Sequence, residues 1–330
     1  MTDQKVSRVP FVVHKKPYCA WEWQAERHNI RFLRSVDAGY FRFVAEQNCR
    51  LLETSEHQRA AIAIRVAYHH ALETLFALVC AVIQAPECIP AWLLKYQTKD
   101  LRSLVNDISN GTPILHRHKP PVITWATLTD IVTKFDACEL DLSQFRIAYA
   151  ELFMRLAHDF TGPLETAEYN SIKHGFRATA GGFRLEAGPE DTEGTPPPSD
   201  KMQTILHSTY GTMFLAEKPL KNSLPEEPGK RDPNFQLLTK CLNWSPQATA
   251  DKTKLAVMVI QNLVSYARSL NGDRGEDVTF FCLEDFQLFA KPWMEDNYAS
   301  IGFDVPIDAS ACPQVSTAWI MTKYERNLPS

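Results

Sequence analysis

The stretch ALETLFALVCAVI, Ala71 to Ile83, sets the architecture of this chain. Apart from Glu73 and Thr74 every residue in it is apolar. A helix built from it has almost no side to turn toward water, so it belongs at the centre of a bundle. The strongly apolar part, Leu75 to Ile83, is far shorter than the ~20 residues a bilayer crossing needs. Arg65, His69, His70 and Glu73 lie just upstream or at its start. Ser55, with Gln58 three residues later, has the form of a capping box. Pro86 stops the helix at Ala85. The expectation is one long core helix from about Ser55 to Ala85.

Working outward, helical patterns surround this core. Val36 to Leu52 places Tyr40, Phe41, Val44, Leu51 and Leu52 in an apolar stripe. Thr98 to Asn110 is helical, with Gly111 as its stop. TPILHRHKPP is a loop, and Thr124 to Ala137 a short helix. Ser143 caps a helix that keeps Phe145, Ala148, Tyr149, Leu152, Phe153, Leu156 and Phe160 on one side. Pro163 suits the first turn of the next helix, and Gly175 its end. Ser245 and Pro246 start a late helix striped by Leu255, Val259, Leu263, Tyr266 and Leu270, which Asn271-Gly272 ends. VTFFCLEDFQLF is ambiguous between strand and helix.

After Gly175 the composition changes. FRATAGGFRLEAG and ILHSTYGTMFLAEK are of β type, separated by the Pro-, Gly- and acid-rich GPEDTEGTPPPSD. They read as a hairpin with a long tip. The fold expected is mainly α, a helical bundle with a small late β-hairpin. Its parts are an N-terminal segment 1–35, a bundle over 36–176, a hairpin with its loop over 177–216, and a C-terminal helical region over 217–330 packing on the bundle.

The chain has 330 residues, 45% of them hydrophobic and 22% charged, with a net charge of −4. These are globular values. The charge argues against a broadly basic surface coated by nucleic acid, and leaves room for a local basic groove. The eight cysteines are scattered without a CxxC pair. They read as reduced thiols, several of them buried. No zinc-spaced set of Cys and His is present, so no metal and no cofactor is expected. MTDQKVSRVPFVVHKKP carries no apolar secretory signal. A soluble, cytoplasmic protein without membrane contact is expected. P-loop, GxGxxG, GxSxG and HExxH motifs are absent.

Chemistry is most concentrated in EYNSIKHGFRA, Glu168 to Ala178. As a helix it puts Asn170, Lys173, His174 and Arg177 at i, i+3, i+4 and i+7, on one face. Tyr169 borders that face. An imidazole titrating near neutrality, two cations and an amide are the parts that handle a phosphodiester. His174 transfers a proton, Lys173 and Arg177 stabilise charge on phosphoryl oxygens, and Asn170 positions. The bland alternative is equally simple: Lys, His and Arg near a helix C-terminus complement its dipole.

The run Tyr169-Asn170-Ser171-Ile172-Lys173-His174-Gly175 resembles the signature of HEPN-domain proteins. That signature is an Arg, a polar residue that is often Asn, three further residues, then His and often Gly. Asn170, His174 and Gly175 match, while Tyr169 stands where the family has Arg. The long helix with Tyr68 and Glu73 also looks like the preceding core helix of such domains. The resemblance covers residues 36 to 176. It implies a helical bundle and metal-independent RNA cleavage through the 2′-hydroxyl, at a site completed across a homodimer. His174 is then the acid or base, Asn170 its neighbour, and Glu73 or His70 line the cleft opposite. Bacterial defence or toxin systems are the setting it implies. Many members bind RNA or a protein partner without catalysis. The alternative reading is therefore a helical interaction protein with a structural Asn170/His174 pair.

Three weaker constellations complete the reading. In AYHHALE, His69 and Glu73 at i, i+4 and His70 and Glu73 at i, i+3 have metal-ligand spacing, but no Glu-x-x-His partner unit occurs elsewhere. A satisfied polar layer is the ordinary reading. In LHRHKPP, His116, Arg117, His118 and Lys119 offer a basic loop. In CAWEWQAER, Trp21 and Trp23 offer a stacking platform or, more ordinarily, a helix edge packed on the bundle.

Overall fold

A computed structural model describes residues 7–22, 25–133, 142–220, 234–275, 278–281, 285–296, 298–303, 312 and 315–325. In chain order these form strands β1 (Ser7–Val13) and β2 (Lys16–Glu22), then helices α1 (Ala25–Ser35), α2 (Gly39–Cys49), α3 (His57–Gln84), α4 (Ile89–Lys95), α5 (Thr98–Ser109), α6 (Trp125–Val132), α7 (Leu142–Thr161) and α8 (Pro163–Lys173). Strands β3 (Ala178–Ala180), β4 (Arg184–Ala187), β5 (Gln203–His207), β6 (Gly211–Pro219) and β7 (Phe235–Asn243) follow. The last elements are α9 (Pro246–Leu270), α10 (Lys291–Met294), β8 (Ala299–Phe303) and α11 (Thr317–Glu325).

The chain divides into two compact units, Met1–Tyr169 with Ser245–Asp296, and Asn170–Trp244 with Asn297–Ser330. The first is helical and centred on α3. Leu72, Leu75, Phe76, Val79, Ala81 and Ile83 are all essentially without solvent contact. Helix α9 packs against α3 with Ala256, Val259, Ile260 and Leu263, equally buried. Each such Leu, Ile, Val or Phe side chain removes enough apolar surface to contribute about 1.5–3 kcal/mol. Aromatic packing joins α3, α6 and α7, with Phe76 edge-on to Trp125 and Trp125 stacked on Phe153. Among the described residues α3 is the one helix long and apolar enough to cross a membrane, yet 78% of its apolar window is buried inside the protein. It is a core helix.

Local signals explain most helix ends. Thr124 and Thr127 form a reciprocal capping box at α6, and the Ser245 hydroxyl caps α9, whose first residue is Pro246. The capping box expected at Ser55 and Gln58 is not formed: α3 starts at His57, with Glu56 at the cap position and no side-chain cap. Gly111 at φ 64° and Gly272 at φ 79° adopt the left-handed conformation that ends α5 and α9.

The expectation of a bundle with only a small late hairpin is corrected. Helix accounts for about 55% and strand for about 17% of the described chain. The strands form three antiparallel sheets, β1-β2, β3-β6-β7-β8 and β4-β5. The two β-type segments do run antiparallel, β3 with β6 and β4 with β5, but β6 also pairs along its length with β7, and β7 with β8. Sheet therefore enters the region expected to be helical, 217–330. It also enters the N-terminal segment, where Phe11 and Val13 are buried between exposed or half-exposed neighbours. Trp21 is on β2 rather than on a helix edge, and it is exposed; Trp23 lies outside the described residues.

The second unit owes its tight centre to small residues. A Cβ on Gly211 would run into the carbonyl oxygen of Leu242 across the β6–β7 ladder, and one on Gly182 into that of Ser208. The Asn243 side chain fills the space so kept, donating to the carbonyl of Phe183 and accepting from its N–H.

Candidate functional site

In the first unit, α3 carries a polar row through an otherwise apolar helix. Arg65 is 3% exposed at its side chain and Glu168 of α8 is fully buried. The Arg65 guanidinium donates twice to Glu168 Oε2, at 2.9 and 2.7 Å. The His69 ring nitrogen Nε2 lies 3.1 Å from the same oxygen. Burial alone would raise the Glu168 carboxyl, but Arg65 and His69 hold it down at about 2. His69 moves down, first because burial disfavours its charged form.

A second ionic centre meets α3 at Tyr68, between Arg65 and His69. Asp159 of α7 accepts from Tyr68 Oη at 2.7 Å and from Trp293 Nε1 at 3.0 Å. Lys252 of α9, 4% exposed, donates to Asp296 at 2.7 Å and lies 3.5 Å from Asp159. Burial pushes the Asp159 carboxyl upward, and His158, Lys252 and Tyr68 override it, leaving it at about 2. These buried ions are thus paired and hydrogen-bonded, as burial of charge demands.

Tyr169, standing where the HEPN signature has Arg, points into this unit. Its ring stacks on His69 with centroids 4.9 Å apart, and its hydroxyl donates to Glu73 at 2.6 Å. His70 is exposed and meets the Tyr169 ring edge-on at 5.7 Å. Burial, then Glu73, raises the Tyr169 hydroxyl far above the usual phenol range, so it is a fixed donor. His69 is thus hydrogen-bonded to Glu168 and Glu73 to Tyr169. Among the described residues no group of three or more His, Cys, Asp or Glu is placed to hold a metal ion.

The other residues of the signature belong to the second unit, whose boundary falls between Tyr169 and Asn170. Helix α8 ends at Lys173. His174 donates its backbone N–H to the Asn170 carbonyl at 3.0 Å. Gly175 at φ 84° and Phe176 at φ 49° then reverse the chain. The Arg177 N–H returns to the Ser171 carbonyl at 2.7 Å, and its Nε donates to the His174 carbonyl at 3.0 Å. Lys173, His174, Phe176 and Arg177 are exposed and Asn170 is half-buried. Among the described residues no hydrogen bond engages the Asn170 side chain or the His174 ring. The neighbouring Ser171 and Ile172 are buried, and the Ser171 hydroxyl donates to the Leu215 carbonyl at 3.2 Å.

The basic loop is a strap. Arg117 donates to the Pro10 carbonyl at 2.9 Å, and the His118 ring lies 3.1 Å from the Val82 carbonyl. Clefts open on the first unit among the described residues. One of about 690 Å³ has an apolar floor including Leu255, Met258 and Phe281, and a rim of like-numbered opposite charges: Arg42, Lys254 and Lys291 with Glu46, Asp251 and Glu295. Another, about 400 Å³, is lined by Glu151, Met154, Arg155, His158, Asp159 and Trp293.

Set against known proteins, the chain matches no family model, no curated protein and no solved structure. Asp159, Lys252, Trp293 and Asp296 carry no local motif and were not legible as a cluster. The local signal available was Arg65, a charge standing inside the apolar helical run AAIAIRVAY.

Proposed function

We propose that the chain acts on single-stranded RNA in the cytoplasm through the end of α8, with His174 as the proton-transfer group of metal-independent cleavage. The observation that carries this is the company His174 keeps. An exposed imidazole, two exposed cations, Lys173 and Arg177, and an exposed aromatic ring, Phe176, held at positive φ, stand within one short run of the chain. Cations along a backbone and a ring for a base are the parts of a single-strand site. In this reading a 2′-hydroxyl attacks the adjacent phosphorus and the 5′-oxygen departs. His174 takes the hydroxyl proton or supplies the one the leaving oxygen needs, giving a 2′,3′-cyclic phosphate and a 5′-hydroxyl. Lys173 offsets charge on the non-bridging oxygens. Arg177 keeps Nε on the His174 carbonyl, which leaves its terminal nitrogens for phosphate. Tyr169, committed to Glu73, does not replace the family's Arg at the phosphate.

The alternative, a non-catalytic interaction protein with Asn170 and His174 as a structural pair, draws no support from a bond between the two side chains. The test is RNA incubated with purified protein in EDTA. Wild type is expected to yield cyclic-phosphate ends and His174→Ala to yield none. Identical behaviour of the two sinks the catalytic role. Undiminished RNA binding by a Lys173→Ala/Arg177→Ala variant sinks the site.

A further inference from the structure

The cleft of about 400 Å³ beside α7 has features that the α8 site does not use. Its size lies within the ~300–1,000 Å³ typical of small-molecule sites. Arg155 is half-buried on its wall, yet makes no hydrogen bond or ion pair with any described residue. A guanidinium carries five donors in a planar fork suited to an oxyanion, and those of Arg155 reach solvent on the cleft wall instead of a protein acceptor. One turn further along α7 stands His158, 80% exposed at its side chain, with Nδ1 3.8 Å from Asp159 Oδ1.

The rest of the lining has a different chemistry. Trp293 is half-buried, with its Nε1 fixed on Asp159 Oδ2 and Lys252 Nζ 5.2 Å from its ring centroid. Asp159 Oδ2 therefore receives Tyr68 and Trp293, while Oδ1 has His158 as its contact. Asp159 stays ionised at neutral pH. Glu151, exposed and without a partner among the described residues, adds a second acceptor. An anion alone would use Arg155 and His158 and meet two carboxylates. An organic cation alone would use the carboxylates and meet Arg155. The lining suits a ligand carrying an anionic group, a flat ring and an N–H donor together.

We propose that this cleft binds a nucleotide whose base carries an exocyclic amino group. Arg155 and His158 hold the phosphate, Trp293 stacks on the base, and the Asp159 or Glu151 carboxylate accepts from the amino group. Adenine and cytosine present such a donor, whereas the corresponding position of uracil is a carbonyl oxygen that a carboxylate repels. The nucleotide is either free or one unit of an RNA strand. The cleft belongs to the first unit and does not depend on the role of His174.

Calorimetric titration of the full chain with AMP, CMP, UMP and inorganic phosphate tests this. AMP and CMP are expected to bind at least tenfold more tightly than UMP or phosphate. Arg155→Ala and His158→Ala are each expected to weaken AMP at least fivefold, Arg155→Ala with an unchanged melting curve. Undetectable AMP binding at millimolar concentration overturns the proposal. So does UMP binding as tightly as AMP, or AMP affinity untouched in both variants. A short oligoadenylate that displaces AMP at lower concentration identifies an RNA strand as the source, and one that fails to compete identifies the free mononucleotide. Titrating AMP into His174→Ala separates the two readings, because that variant lacks the proposed cleavage residue and keeps every cleft residue.

Discussion

Replacing Glu168 with Gln probes a fully buried ion pair of the helical unit. Three donors, Arg65 Nε, the Arg65 terminal nitrogen and His69 Nε2, converge on one carboxylate oxygen at 2.9, 2.7 and 3.1 Å. Neither partner reaches water, with side chains 3% and 0% exposed. Gln keeps the shape but removes the charge, leaving a guanidinium without its counterion in the core. Breaking a buried pair in this way costs about 3–5 kcal/mol. Against a total of about 5–15 kcal/mol, that is about a fifth of the stability at least. Urea unfolding followed by far-ultraviolet circular dichroism at neutral pH measures it. Arg65→Met should cost a similar amount. The double variant Arg65→Met/Glu168→Leu should regain at least half of the summed loss, because apolar replacement of a whole buried pair is close to neutral. A loss below about 1 kcal/mol for Glu168→Gln, or a double variant as unstable as the sum, would refute the assignment of a desolvated, paired charge.

Other outcomes follow from the same geometry. Glu168 and Asp159 fall from ordinary values of 4.5 and 3.8 to about 2 in the folded protein. Their stabilisation is complete above the unfolded values and is lost as pH drops from about 4.5 through 2, so the urea midpoint should be flat above that window and collapse within it. Phe176→Gly relieves a left-handed residue worth about 1–2 kcal/mol and should leave stability equal or higher while weakening RNA binding, as gel shift would show. Reduced binding accompanied by lost stability would instead mean that the ring packs. Tyr68→Phe removes one hydrogen bond to an ionised Asp159 and should cost about 1.5–3 kcal/mol in the same urea assay. Cys19 is exposed, whereas Cys80 is buried with its thiol pushed up. A thiol reagent should therefore label Cys19 in the native protein and Cys80 only in denaturant, as mass spectrometry of peptides would report.

The parts of this fold legible in sequence were those written in consecutive residues. Ala71 to Ile83 announces a core helix because its period leaves no polar face. Ser245-Pro246 announces a helix start because a hydroxyl and a ring do that work locally. The N-terminal hairpin was missed because its turn is disguised. It needs a positive φ, a position glycine usually takes, and His14 takes it at 57°. Strand β7, FQLLTKCLN, lacks clean alternation because its burial does not alternate: it ends with Cys241, Leu242 and Asn243 all buried in succession. Within the candidate site, the helical spacing of Asn170, Lys173 and His174 was readable. The inward turn of Tyr169 was not, because it depends on Glu73, 96 residues away. The Arg65–Glu168 pair spans 103 residues and no periodicity reports it.

Gln84, the last residue of α3, sets a schedule for folding. Its amide oxygen receives the backbone N–H of His14 at 2.8 Å and the indole of Trp92 at 3.1 Å. Its amide nitrogen donates to the carbonyls of His14 and Leu115 at 3.1 and 2.8 Å. A two-stranded hairpin is marginal alone. Strands β1 and β2, made before α3, then have nowhere to dock until residues 84 and 115 have also emerged. Ribosome-bound chains halted before residue 84 should therefore show a protease-sensitive N-terminus, and chains halted well past residue 115 a protected one. A hairpin already protected in the shorter chains would show that it folds without its latch.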